Sequence, residues 1–185
     1  MLRMINPEAK ATVRVERLHA PHAAAYRALM LEAYAAAPDA FTASVEERAP
    51  FPIAWWETRL GDGNPDSIVF GAFVGDVLAG AVGLARETRP KTRHKADVFG
   101  MYVTPAHRKS GAGVAMMHAI LDHAASWQGV RMLLLTVSEG NPAAQGLYER
   151  FGFVAFGTQP MAIREGERFI AKVHMSRILH EENDG

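Results

Sequence analysis

The segment from Ala96 to Val114, ADVFGMYVTPAHRKSGAGV, constrains the fold more than any other stretch. It runs from an apolar strand through a short turn into a helix start that carries two glycines. The helix is expected to continue to about Gln128, with Val114, Met117, Ile120, Leu121 and Ala124 in one apolar stripe that belongs to a core. Next comes Arg131 to Val137, RMLLLTV, a continuous apolar run suited to a strand covered on both faces. A strand, a helix and a second strand in this order predict a parallel, right-handed crossover.

The flanking pattern adds antiparallel strands and further helices. Thr12 to Leu18 alternates apolar and polar residues as a half-buried strand does. Pro21 suits a first helical turn, Tyr26, Leu29, Met30, Ala33, Tyr34 and Ala37 recur at helical spacing, and Pro38 ends that helix. No period is visible up to Pro52, after which Ile53 to Leu60 reads as a second short helix closed by Gly61. Ser67 to Val74, a Gly75-Asp76 turn and Val77 to Arg86 form the clearest hairpin. Asn141 can cap a helix begun by Pro142 and ended at Phe151-Gly152. Phe153 to Thr158 and Arg168 to Arg177 read as last strands, with a turn at Glu165-Gly166, and the polar tail from His180 to Gly185 is expected to fray.

The expected architecture is an α/β (α+β) single domain over residues 1–185, with an ordered core at 12–178. Its mixed, mostly antiparallel sheet has about six to seven strands, a central parallel pair, and helices on both faces. The 185 residues carry a formal net charge of zero, so the basic excess of a dedicated nucleic-acid binder is missing. No apolar run approaches the roughly 18 residues of a spanning helix, and MLRMINPEAK has no apolar leader, so we expect a cytoplasmic protein without a membrane partner. The lack of cysteine excludes disulfides, cysteine nucleophiles and thiolate metal sites. His118 and His123 are five apart on a helix and point roughly 140° away from each other, so no metal is expected. The basic run Arg89 to Lys95 reads as a solvated loop between strands.

In Arg108-Lys109-Ser110-Gly111-Ala112-Gly113, the glycines let backbone approach a ligand, and the helix behind them aims free N–H groups and its positive dipole end outward. That suits phosphate, although a turn using glycine for geometry alone would look the same. The nucleoside triphosphate loop needs lysine where Val114 stands. The dinucleotide fingerprint needs glycine at Met116 and an acid where the next strand ends in Val137 and Ser138. Neither fits.

Two blocks in order do match a known family. MYVTPAHRKSGAG has a strand ending in a turn with proline, then arginine, two residues, glycine, one residue and glycine; NPAAQGLYERFGF has an asparagine, a short helix carrying Leu-Tyr, and a Gly-Phe end. In these, and more weakly in PDAFTASVEE, the chain resembles the GNAT superfamily of acyl-CoA-dependent N-acyltransferases. Two positions depart from the pattern: Lys109, where a small residue is usual, and Ala112, where a bulkier apolar one is common. The resemblance implies acetyl-CoA as cosubstrate, central strands that splay apart around its acyl arm, and direct transfer to an amine in a ternary complex. The diphosphate would rest on Arg108, Lys109, Ser110, Gly111, Ala112, Gly113 and Val114; the pantetheine arm would run along Met101, Tyr102 and Val103, with Asn141 and Ala144 beside it.

By the same resemblance the Met101 N–H would polarise the thioester carbonyl, and Tyr148 would protonate the leaving thiolate; a packed core tyrosine is the alternative. Asp97 matches the base position of the histone-modifying members, and by the two-residue period shares a face with Phe99, Met101 and Val103; a solvent-facing strand start is the alternative. Glu46 and Glu47 are a second acidic option, toward a cationic substrate. The acceptor, a small-molecule amine or a protein or peptide amine, stays open, as do a homodimer through the last strands and a rival reading as a non-catalytic acyl-CoA-binding module.

Overall fold

Strand-forming and helix-forming patterns alternate along the chain, and the computed structural model, which describes residues 12–179, assembles them around one sheet. The amino-terminal stretch MLRMINPEAK and the tail from His180 lie outside the described residues. The strands are β1 (Val13–Arg17), β2 (Ser67–Val74), β3 (Val77–Arg86), β4 (Lys95–Val103), β5 (Met132–Ser138), β6 (Val154–Glu165) and β7 (Arg168–Ile178). They lie side by side in the order β1-β2-β3-β4-β5-β7-β6. Every pair is antiparallel except β4 with β5, the expected crossover pair.

The helices are α1 (Ala23–Ala36), α2 (Val45–Arg48), α3 (Ile53–Arg59), α4 (Ala112–Ser126) and α5 (Pro142–Arg150). On one face α4 buries Met116, Met117, Ile120 and Ala124 against Val82, Leu84, Ala96 and Leu133, and α5 joins this core through Tyr148. On the other face α1 and α3 bury Tyr26, Leu29, Ala33 and Trp56 with Val69, Phe73 and Ala81. The two-sided burial of β2 and β3 follows from these layers. β5 is different: Leu133, Leu135 and Val137 are buried, whereas Thr136 on its other face is exposed. The expected cover on both faces is therefore only half present.

Four local features depart from the pattern reading, each for a physical reason. First, β4 does not keep one period. Phe99 pairs with Gly83 and Tyr102 with Ala81, so three steps on β4 answer two on β3; this bulge is centred on Gly100, whose φ is +63°. It puts Phe99 in the α1-side core and Met101 and Val103 against the α4-side core, so Asp97 does not share a face with Met101 and Val103. Second, β6 continues past Thr158 to Glu165. It tolerates Pro160 because it is an edge strand, and the ladder slips between Gln159 and Ile163, where Met161 has φ +50°. Third, the unpatterned stretch before Pro52 contains α2, capped by Ser44, whose side chain accepts the Glu47 N–H at 3.2 Å. Fourth, Pro21 lies in a short 3₁₀ turn, Ala20–His22, that leads into α1.

Gly83 shows how tightly the bulge is seated. A Cβ there would lie 2.2 Å from Phe99 Cζ, so the missing side chain makes room for the ring. Gly83→Ala should displace Phe99. Overpacking of this kind costs about 1 to 3 kcal/mol, and the reduced freedom of the unfolded chain returns only about 0.5 to 1. We expect a net loss of stability, read as a lower denaturation midpoint; unchanged stability would mean that the ring turns aside freely.

Candidate active site

β4 and β5 pair at only three rungs, Lys95 with Met132, Ala96 with Leu133, and Asp97 with Leu134. Beyond Asp97 the strands part, and neither edge has the other as hydrogen-bond partner although both run on, to Val103 and Ser138. The gap is a cleft of about 260 Å³, walled by Val98 to Met101 on one side and Thr136 to Ser138 on the other. Asn141, Ala144 and Tyr148 of the α5 region close one face, and Ala40, Phe41 and Thr42 after α1 reach it from the other. The splay implied by resemblance is thus present in the backbone. The bulge at Gly100 lies on the cleft wall.

The start of α4 abuts this wall. Gly111 is its N-cap with φ +92°, and open space surrounds the position its Cβ would take. The N–H groups of Lys109, Gly111, Gly113 and Val114 have no partner among the described residues, whereas Ser110 N–H donates to the His107 carbonyl and Ala112 N–H to Ser110 Oγ, both at 3.3 Å. The cradle is therefore discontinuous, not an unbroken run from Lys109 to Val114. Lys109 has φ +63°, a conformation that favours glycine at this position. Gly113 has a reason of its own: a Cβ would lie 3.3 Å from Leu147 Cδ2 and 3.7 Å from Met101 Cε, so this glycine sets the approach of α4 to α5 and β4. Arg108 and Lys109 are exposed.

Asn141 caps α5, its Oδ1 accepting the Ala144 N–H at 3.1 Å. Two turns later Tyr148 is buried, 6% exposed, edge-on to Phe153 at 6.1 Å between centroids. Burial pushes its phenol up to about 12, and its hydroxyl has no hydrogen-bond partner among the described residues. A protonated donor thus lines the cleft with its hydrogen unspent.

Other expected residues stand elsewhere. Asp97 occupies the last paired rung and is not among the cleft-lining residues; burial, then the nearby Glu87 charge, push its carboxyl above the usual range. Tyr102 faces α1 and donates to Glu32 Oε1 at 3.0 Å, so only its backbone can serve a ligand lying on the α4 side of β4. Val103 packs toward α4 beside Met116. Glu46 and Glu47 are exposed on α2, outside the cleft; the Glu46 carboxyl is lowered by its own N–H and by Ser44, and Glu47 pairs with Arg48 at 3.1 Å.

Three residues of the cleft went unread in the sequence. Ser138 is buried and its hydroxyl donates to the Asp39 carbonyl, tying the Pro38 to Thr42 segment onto β5. Phe41 packs edge-on against Tyr34 and Tyr102, at 5.3 and 6.3 Å between centroids. Lys172 lines the cleft from β7, paired with Ser138 on one side and Gln159 on the other. A lysine within the otherwise apolar run FIAKV was the available signal for the last.

Known proteins resemble this chain in sequence and in fold. The sequence model of the acetyltransferase (GNAT) family matches residues 29–153. The L-amino acid N-acetyltransferase AaaT of Escherichia coli K12 is 30% identical over 124 residues, 66% of this chain and 75% of that protein. A Pseudomonas aeruginosa L-methionine sulfoximine/L-methionine sulfone acetyltransferase is 31% identical over 117 residues, 63% of this chain and 64% of its own length. Among solved structures, a GNAT-family acetyltransferase from Streptococcus pneumoniae superposes with a TM-score of 0.81 over 91% of this chain and all of that one, at 23% identity. A Salmonella typhimurium acetyltransferase solved with acetyl-CoA superposes at 0.74 over 94% of this chain and 98% of that one, at 19% identity.

The phenols of Tyr148 and Tyr26 are both pushed up to about 12 by burial, which gives stability a definite alkaline limb. The native state keeps these protons through the range where the unfolded chain, titrating near 10, has lost them. Their contribution is therefore full below pH ~10 and is lost as pH rises toward 12, on the order of 2 to 3 kcal/mol for each phenol. Denaturant titrations at pH about 9 and 11.5 should show a fall in stability, and Tyr148→Phe should make that fall smaller. An equal fall in the variant would mean that Tyr148 ionises like an exposed phenol.

Proposed function

The chain belongs to the acetyltransferase (GNAT) family and is an acyltransferase; from that premise we propose that it moves the acetyl group of acetyl-CoA directly onto the amino group of a free amino acid or a close analogue. The observation that carries the reading is the cleft opened by the parting of β4 and β5, with unpaired N–H groups at the α4 start on one side and Tyr148 lining it. The acceptor class is supported by the relatives, an L-amino acid N-acetyltransferase and an acetyltransferase of methionine sulfoximine and sulfone.

The residues fit the donor. Open space at Gly111 together with free N–H groups at Gly111, Gly113 and Val114 suits a diphosphate, and the exposed Arg108 and Lys109 add positive charge. The unpaired β4 edge at Met101 offers backbone to the pantetheine arm and to the thioester oxygen. Asn141 and Ala144 flank that arm, with Asn141 already engaged as a cap.

The reaction needs no covalent enzyme intermediate. The neutral amine nitrogen bonds to the carbonyl carbon, the carbon–sulfur bond breaks with its electron pair going to sulfur, and the nitrogen sheds its surplus proton. Tyr148 hydrogen-bonds the developing thiolate and supplies a proton to it, and the phenolate is reprotonated from water, which receives the proton that the nitrogen sheds. In water a phenol at about 12 would give up that proton to a thiolate reluctantly, a thiol titrating near ~8.5. In the cleft the burial that disfavours the phenolate also disfavours the sulfur anion, which narrows the gap. The lining holds no carboxylate or imidazole, so the nitrogen's proton leaves to water, with Asp97 one rung outside.

Thiol release measured over a panel of free amino acids, N-terminal peptides and lysine peptides should show turnover with amino acids; no turnover above hydrolysis with any amine overturns the reading. Tyr148→Phe should lower kcat by roughly a hundredfold or more while acetyl-CoA still binds. Unchanged turnover removes the acid, and tight acetyl-CoA binding with no turnover in either form favours a non-catalytic acyl-CoA-binding module.

Gly111→Val places methyl groups where phosphate oxygens would sit and forces a β-branched residue to φ +92°. Loss of two charge-assisted hydrogen bonds at roughly 1.5 to 3 kcal/mol each should weaken acetyl-CoA binding at least a hundredfold. Calorimetry finding near-native affinity in a folded variant would put the diphosphate elsewhere.

A further inference from the structure

The cleft has a charge asymmetry that the acetyl-donor chemistry does not use. Of the residues lining it, Lys172 is the one with a charged side chain, and no aspartate or glutamate is among them. Lys172 is held on β7, an interior strand, between Ser138 of β5 and Gln159 of β6. Among the described residues no carboxylate lies within ion-pair distance of its ammonium. Its partial burial lowers its affinity for a proton. A half-buried cation without a counter-ion is a cost to the free protein, and that cost is relieved by a ligand that brings the anion.

We propose that Lys172 binds the carboxylate of the acceptor and so selects amino acids over amines that lack a carboxyl group. The proposal rests on the acetyltransferase reading of the cleft, and it goes further by assigning the residue that reads the substrate's acid end. The acceptor lies with its carboxylate toward β7 and its amino group toward the β4 wall at Met101, where the thioester carbonyl would be held. The same charge works against polyamines and against lysine side chains in basic peptides, because a second cation would enter a cleft whose lining has no acid to receive it. Selectivity therefore comes from one attraction and one repulsion exerted by a single group.

The test compares L-methionine with L-methioninamide in wild type, Lys172→Gln and Lys172→Arg. The quantity read is the ratio of kcat/KM for the two acceptors, and then the change in that ratio between proteins, so the different basicities of the two amines cancel. Wild type should favour the carboxylate by roughly tenfold to a hundredfold relative to Lys172→Gln, mostly through KM, and Lys172→Arg should recover much of the preference. An equal loss for both acceptors in Lys172→Gln would make Lys172 a structural residue and overturn the proposal, as would a wild type with no preference beyond that of the variant.

Binding supplies an arm that does not depend on turnover. With CoA present, N-acetyl-L-methionine should bind wild type more tightly than its carboxamide, and Lys172→Gln should erase the difference. If that difference appears while no amine is acetylated, the carboxylate site stands and the acetyltransferase reading falls. If acetylation proceeds without it, the reading stands and Lys172 is not the anchor. Acetylation of Lys172 itself on incubation with acetyl-CoA alone would also overturn the proposal, because the residue would then be an acceptor and not a binding group.

Discussion

Everything at the candidate site depends on two strands that stop pairing. A parallel pair inside a sheet normally keeps its ladder, since each lost rung leaves backbone donors and acceptors to be satisfied elsewhere. Here the ladder between β4 and β5 ends after Asp97 and Leu134, and beyond that point β4 carries its bulge at Gly100 while staying bonded to β3. The unpaired backbone is exposed to a cleft and not buried, which keeps its cost tolerable and leaves it available to a ligand that is itself rich in amide groups. The parting of the strands thus both opens the cavity and leaves it lined with hydrogen-bonding backbone.

The two titratable groups in the cleft respond to the same surroundings in opposite senses. Burial raises Tyr148 and lowers Lys172, since in each case the charged form is the one that loses water. The phenol is thereby held as a hydrogen-bond donor, and the ammonium gains most from any anion brought to it. Among the described residues no partner side chain takes up the Tyr148 hydrogen or pairs with the Lys172 charge, so both are left free for a ligand.

Much of this arrangement was legible in the sequence, and the failures have identifiable causes. The β2–β3 hairpin, the α4 stripe and the crossover follow from periodicity, because their side chains meet regular layers. Asp97 was misplaced relative to Met101 because a two-residue period carries no sign of a bulge; only the glycine inside VFGMYV hinted at one. The pattern ends β6 at Thr158, whereas the strand runs on through Pro160 to Glu165; proline is tolerated there because β6 is an edge strand, and edge position is a property of the sheet, not of the segment. The site was read where it depends on local chemistry, at the glycines and the Leu-Tyr helix. It went unread where distant elements converge, at Phe41, Ser138 and Lys172, since their neighbourhood exists only after β7 has inserted beside β5.

The contact at Gly113 has a consequence for how such a site can change. A Cβ at Gly113 would lie 3.3 Å from Leu147 Cδ2, so the first turn of α4 meets the middle of α5 across the tip of the Leu147 side chain, and Leu147 directly precedes Tyr148. Through that contact the N–H donors and the phenol belong to one packed piece. That piece works as a ruler, fixing the span between the end of the cleft that would grip phosphate and the end that would meet sulfur. A longer or shorter carrier arm could not be accommodated by shifting either helix alone. Divergence among chains of this kind should thus concentrate in the walls that face the acceptor, whose supports at Asp39 and Phe41 come from separate parts of the chain, while the ruler itself stays the same length.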